Sequence, residues 1–255
     1  MENKNPFFTI ITACFNSEKT IKNTVESVLN QIFTNFEYIL IDGKSTDKTV
    51  EIIKSFEVQF QEKGISYKWI SEKDTGIYNA FNKGIKLSSG KWISFLGSDD
   101  EYLKESIEVY QKEILKNTLE VDFVYSNIKM NDKIIHSKKW IWRKFKRKMN
   151  IVHVGGFHRK EYFNKYGFFD ETFEIAGDYE LLLRAKNQLK THQVNKVTVL
   201  MGGDGISNNQ VKKVYKETTK AKIKTANVNV LLAEFDCFIW MLKLSIKNKK
   251  NALVR

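Results

Sequence analysis

"KWISFLGSDDEY", residues 91–102, carries the reading that decides the fold. An apolar run from Trp92 to Leu96 stops at Gly97 and Ser98 and is followed by two adjacent carboxylates, Asp99 and Asp100. The run has the length and composition of a buried strand. Neighbouring carboxylates repel and raise each other's pKa unless positive charge lies beside them. A metal ion is the usual source of that charge, and the carboxyl end of a strand is a usual place for it.

Reading outward from this strand, the same unit repeats. "FFTIITAC" at 7–14 is an apolar, β-branched strand. It is followed by a helix with Ile21, Val25, Val28, Leu29 and Ile32 at helical spacing. "FEYILIDG" at 36–43 is a second strand, and "STDKTVEIIKSFEVQF" a helix capped near Ser45 or Asp47. "ISYKWISE" at 65–72 is a third strand, and the helix after it closes at Gly90. Strand and helix alternating at this spacing predict an α/β fold, an open and mostly parallel sheet with crossover helices. Ligands of such sheets sit beyond the carboxyl ends of the strands. Phe15, Asp42, Asp74, Asp99 and Asp100 all fall there.

The second half is less regular. It holds a helix in "YLKESIEVYQKEILKN", a strand pair turning at Asn131-Asp132, short helices in "KEYFNKYGFFDE" and "DYELLLRAKNQ", and a strand in "HQVNKVTVLM". The stretch from 211 to 255 is helical in pattern, with an apolar face. Three segments are expected: residues 1–103 and 104–210 as two halves of one domain, and 211–255 as a basic amphipathic tail. Without a repeat or a low-complexity linker, the two halves should share one core.

Composition narrows the function. The 255 residues carry a net charge of +12, with 42% hydrophobic residues. The positive charge is concentrated in "KKWIWRKFKRK" at 138–148 and from Lys212 to Arg255, where eleven Lys or Arg stand against three acids. Such patches attract nucleic acid, phosphate-bearing substrates or an anionic membrane leaflet, or else form a solvated surface. Two distant cysteines, Cys14 and Cys237, fit a reducing compartment. No signal-peptide layout and no membrane-spanning run is read, so a cytoplasmic location is expected. "GIKLSSGKW" fails as a phosphate-binding loop by spacing, and no dinucleotide fingerprint, zinc-ligand spacing or nucleophile elbow occurs.

"TIITACFNSEKTIKNTVESVLNQIFTNFEYILIDGKSTDKT" and "SEKDTGIYNAFNKGIKLSSGKWISFLGSDD" together resemble the amino-terminal blocks of family 2 glycosyltransferases with the Rossmann-like GT-A fold. The likeness is greatest to the branch that builds bacterial surface polysaccharides. It returns in "HVGGFHRKEYFNKYGFFDETFEIAGDYELLLR" and in "MGGDGISNN", covering roughly residues 7–210. The resemblance implies inverting transfer of a sugar from a nucleoside diphosphate donor, UDP-hexose or UDP-N-acetylhexosamine, to a hydroxyl.

Residue by residue, the resemblance places Ala13 and Phe15 against the nucleobase; Phe15 otherwise reads as core. Asp42 occupies the position of an acid that holds the base, although the usual second acid is Gly43, and a turn-forming Asp-Gly is the other reading. Asp74 either bonds ribose or base or caps the next helix. Asp99 is placed at the ribose and Asp100 at a divalent cation, Mn²⁺ or Mg²⁺. Gly97 stands where the longer acidic motif has its leading acid. Asp178 matches the general base at the head of a helix, or caps that helix, with Glu180 in reserve. His153 and His158 are placed on the acceptor or phosphate side, or serve as structural hydrogen bonders. Asp204 lies in a glycine-rich loop of lid character.

The expected acceptor is a lipid-linked oligosaccharide on undecaprenyl diphosphate, in O-antigen or capsule synthesis. Interleaved tryptophans and the helix "FDCFIWMLKLSIKNKK" predict peripheral binding to the anionic inner face of the membrane. A sugar nucleotidyltransferase is the alternative, but "TACFNSEKT" lacks its glycine-rich entry. A nucleic-acid-binding protein leaves the strand-end acids unexplained, so no nucleic acid partner is expected.

Overall fold

The computed structural model describes residues 5–116, 120–203, 205 and 210–253. Its strands are β1 (Phe8–Cys14), β2 (Phe36–Asp42), β3 (Ser66–Ser71), β4 (Trp92–Gly97), β5 (Glu101–Tyr102), β6 (Phe123–Met130), β7 (Lys133–Ile135), β8 (Phe157–Arg159) and β9 (Thr191–Leu200). The helices are α1 (Ile21–Leu29), α2 (Thr49–Lys54), α3 (Glu57–Glu62), α4 (Ile77–Leu87), α5 (Ser106–Lys116), α6 (Trp142–Phe145), α7 (Lys160–Tyr166), α8 (Gly177–Arg184), α9 (Val211–Lys224) and α10 (Val230–Leu253).

All nine strands join one sheet in the order β3-β2-β1-β4-β8-β6-β9-β5, with β7 paired to β6. The first four are parallel, because each is reached through a crossover helix. Antiparallel β8 then reverses direction and joins the amino-terminal half to β6. In register, Ala13 faces both Ile41 and Gly97, and Asp42 faces both Cys14 and Ser71. The carboxyl ends of these strands therefore finish at one level.

Strand alternation builds a core on each face of the sheet. Ile11, Ile39, Ile41, Ile93 and Phe95 pack with Phe123, Tyr179, Leu182 and Ala221. Phe8, Ile10, Tyr38, Leu40, Trp92 and Leu96 pack with Tyr110, Val124 and Phe157. Each core draws on residues from both halves of the chain.

Local departures from the sequence reading have local causes. The helix expected over 45–60 is two helices, α2 and α3, broken at Ser55–Phe56. The helix expected to close at Gly90 ends at Leu87, where Ser88 turns to an extended conformation. The second strand of the 123–140 pair is only β7. Asn131 and Asp132 both adopt positive φ, as a tight two-residue hairpin requires. The tryptophans of the basic segment turn inward in part: Trp140 packs 4.4 Å from the buried Phe145 ring. β5, α6 and β8 are too short to carry a periodic signal.

Candidate active site

Asp99 and Asp100 lie immediately beyond β4. Asp100 is buried, accepting the N–H of Gly97 at 3.0 Å on Oδ2 and that of Gly202 at 2.9 Å on Oδ1. Burial, and then the charge of Asp99, push its carboxyl up to about 7, against the pull of those two N–H groups. Position 97 has no room for a further acid. A Cβ there would meet Asp100 Oδ2 at 2.5 Å and Asp99 Oδ1 at 3.1 Å. The leading acid of the longer motif is thus replaced by the Asp100 carboxylate folding back over Gly97. Ser98 Oγ lies 3.0 Å from Ser17 Oγ, tying this turn to the loop after β1.

The loops after β1, β2 and β3 meet beside that turn. Phe15 is 61% exposed, which removes it from the core and leaves its ring available. Ala13 is partly buried at the end of β1. Asp42 is fully buried, and its carboxylate is already engaged: it accepts Ser45 N at 3.0 Å, Ser71 Oγ at 2.6 Å and the Ser45 hydroxyl. It fastens the β2 loop to β3. Asp74 Oδ2 sits 2.7 Å from where a Cβ on Gly43 would be, and the Phe15 ring sits 3.4 Å from the same point. Where the family often has a second acid, the Asp74 carboxylate and the Phe15 ring take up the space a side chain at position 43 would need. Asp74 also accepts Gly76 N at 3.0 Å, a turn ahead of α4; the N-cap of that helix is Gly76 and no side chain caps it, so Asp74 is not its cap.

Asp178 is the second residue of α8, where helix N–H groups point outward. Its Oδ1 accepts Tyr179 N at 2.7 Å. Burial pushes its carboxyl up to about 6, with the charge of Glu217 adding to the rise. Two side chains that the sequence reading missed shape this turn. Tyr78, in the first turn of α4, donates its hydroxyl to Ile175 O at 2.6 Å and accepts Gly177 N at 2.8 Å. Glu217, in α9, accepts the N–H groups of Glu174, Ile175 and Ala176. Tyr78 reads in sequence as an ordinary core residue of an amphipathic helix. Glu217 left a signal: it is the only acid in "VKKVYKETTKAKIK".

Lysines of α9 complete that grip. Lys220 Nζ donates to Thr172 O at 3.0 Å, Lys224 pairs with Asp170 at 2.5 Å, and Lys213 pairs with Glu174. With Glu217 they recur at helical spacing, so one face of α9 is devoted to residues 170–176. The same loop is held from α4, where Asn79 and Asn82 donate to Glu171 at 2.9 and 2.8 Å.

The remaining sequence candidates lie elsewhere. Glu180 is buried and paired with Arg184, and Thr225 donates to it at 2.8 Å. His153 and His158 are buried, with their Nε2 atoms 2.8 Å apart. The His158 ring lies 4.3 Å from that of Phe123. Burial lowers His153 to about 4 and His158 well below its ordinary value, so both are neutral at physiological pH. Asp204 lies outside the described residues.

The profile of glycosyl transferase family 2 matches residues 9–172. A PGL/p-HBAD biosynthesis glycosyltransferase of Mycobacterium bovis is 27% identical over 185 residues, 70% of this chain and 69% of that one. TuaG of Bacillus subtilis, a glycosyltransferase assigned by name to teichuronic acid biosynthesis, is 30% identical over 142 residues, 54% of this chain and 55% of that one. Among solved structures, TarS of S. aureus in complex with UDP-GlcNAc superposes with a TM-score of 0.66 at 18% identity, covering 90% of this chain and 70% of that one. A mannosyltransferase of Pyrobaculum calidifontis in complex with GDP-Man and Mn²⁺ also gives 0.66, at 13% identity, covering 91% and 70%. These structures share the sheet and flanking helices described above. The chain belongs to glycosyl transferase family 2 and is a glycosyltransferase of the GT-A fold.

Proposed function

We propose that the enzyme is an inverting, metal-dependent glycosyltransferase. It moves a hexose or N-acetylhexosamine from a UDP donor to a hydroxyl of a lipid-linked oligosaccharide during surface polysaccharide assembly, O-antigen or capsule. The observation that carries this reading is Asp178. It is a carboxylate raised to about 6 at a helix head, held by Tyr78 from the carboxyl end of the sheet that also bears Asp99 and Asp100. A carboxylate of that pKa is ionised at neutral pH and still basic enough to take a hydroxyl proton.

The exposed Phe15 ring offers an apolar face to a nucleobase, and Asp74 beside it accepts hydrogen bonds from base or ribose. Asp99 faces the ribose. Asp100 and Asp99 fit a hard divalent cation, because the buried Asp100 carboxyl, raised by burial and then by the charge of Asp99, is relieved by positive charge. Among the described residues no cluster of three or more acids, histidines or cysteines could hold a metal alone, so donor phosphate oxygens and water must complete its shell. When bound, the cation would offset negative charge on the departing diphosphate. Asp178 deprotonates the acceptor hydroxyl, which attacks the anomeric carbon opposite that diphosphate. One displacement without a covalent intermediate gives inversion.

The likeness to TuaG, assigned by name to teichuronic acid biosynthesis, supports a role in surface polymer assembly. A lipid-carried acceptor also brings the enzyme to an anionic membrane surface. Calorimetric titration with UDP, GDP and dTDP, each with and without Mn²⁺, tests the reading. Metal-dependent binding of UDP that Asp100→Ala abolishes is expected; binding that ignores metal, or a preference for GDP or dTDP, overturns the donor assignment.

A further inference from the structure

α10 has an outward face without a protein partner among the described residues. Leu231, Phe235, Phe238, Leu242 and Ile246 recur at intervals of three and four residues and are all exposed, Leu231 to 81% and Phe238 to 62%. That spacing is one stripe along a helix. The opposite side is engaged with the body: Ala233 is fully buried in the core and Asp236 pairs with Arg147 and Lys222. Exposed apolar stripes of this extent mark interaction surfaces.

The tertiary structure also brings the two basic regions of the sequence together here. Arg147 is clamped to Asp236, and Lys148 lies 3.8 Å above the ring of Trp240, with Lys243 5.5 Å from the same ring. Arg143 and Lys144, in α6, are exposed beside them. Lys213, Lys220 and Lys224 of α9 are partnered by residues 170–174. No described helix is long and apolar enough to cross a membrane.

We propose that the outward face of α10 docks onto an anionic lipid surface. The stripe enters the boundary between headgroups and acyl chains while Lys243 at its edge, and Arg143 and Lys144 of the neighbouring α6, meet lipid phosphates. An exposed apolar stripe with cations within reach suits that surface better than it suits water. The rest of the molecule then hangs from α10 through Arg147–Asp236 and Lys222, which keeps the loop of Asp178 close to the bilayer. The inference rests on the lipid-carried acceptor only for its purpose, and its test reads no sugar chemistry.

The test is co-sedimentation of the full chain with phosphatidylcholine vesicles, with and without phosphatidylglycerol. Binding is expected only with the anionic lipid, weakening as salt rises. Phe235→Glu combined with Phe238→Glu should reduce it at least tenfold, and Arg143→Glu with Lys144→Glu should reduce it severalfold. Circular dichroism and UDP binding should be unchanged in both variants, because all four side chains are exposed. Equal recovery in the supernatant with both vesicle types overturns the proposal. So does a dimer that Phe235→Glu disperses without any vesicle binding, since the stripe would then belong to a second copy. Loss of UDP binding in the parent protein would count against the donor assignment alone.

Discussion

Glu217 accepts the backbone N–H of Ala176 at 2.9 Å, across 41 residues of chain. The same carboxylate takes the N–H of Ile175 at 2.8 Å, so a helix near the carboxyl terminus holds the turn that ends in Asp178. The geometry of the proposed base is therefore set from outside its own helix.

Glu217→Ala should lower kcat by about 10- to 100-fold while leaving UDP affinity unchanged, since misplacement of a reacting group by a fraction of an ångström is enough for such losses. Leaving three backbone donors without their acceptor should also cost about 1–3 kcal/mol of stability. Glu217→Gln, which keeps one acceptor oxygen, should fall between. Steady-state kinetics paired with UDP calorimetry separates this effect from a fault in donor binding.

Asp178→Asn should remove turnover by about two to four orders of magnitude with donor binding intact, the loss typical of a missing general base. In the parent enzyme kcat at saturating donor and metal should rise roughly tenfold per pH unit below about 6 and level off above it, because only the ionised Asp178 carboxylate accepts the proton. A rate that is flat from pH 5 to pH 8 would remove Asp178 from that role.

Restoring the missing acid should harm the protein. Gly97→Asp forces a Cβ to within 2.5 Å of the Asp100 carboxylate, so it should weaken Mn²⁺-dependent UDP binding and lower Tm. A tighter metal site in this variant, measured by calorimetry, would contradict the packing seen at Gly97.

The buried histidine pair makes stability depend on acid. His153 ionises near 4 in the folded protein against 6.5 for a free side chain, so the unfolded chain binds more protons between those values. Stability is fully present above pH 6.5 and declines as pH falls toward 4, by about 3 kcal/mol from His153 alone. Urea midpoints across that range should fall steeply for the parent and less so for His153→Asn combined with His158→Gln.

How much of this was legible in the sequence follows from the range of each interaction. The parallel half and the level at which its acids emerge are local: apolar runs of strand length alternate with helical spacing, and crossover connections then leave little choice of pairing. The position of Asp99, Asp100 and Asp178 at the ends of such elements was readable for the same reason. Whether a candidate faces a cleft or the interior is not local. Glu180 goes to Arg184 and Thr225, and the two histidines go between Phe95 and Phe123, because helix rotation and the β8 reversal decide which face is covered. Tyr78 binds Gly177 across 99 residues and Glu217 binds the loop across 41, contacts that no periodicity encodes. The sequence by itself determined the sheet and the acids at its carboxyl ends, through short-range hydrophobic pattern and turn chemistry. Only tertiary packing decided which basic residues brace the loop of residues 170–176 and which are left facing outward, because that depends on which helix face meets the acids of 170–174.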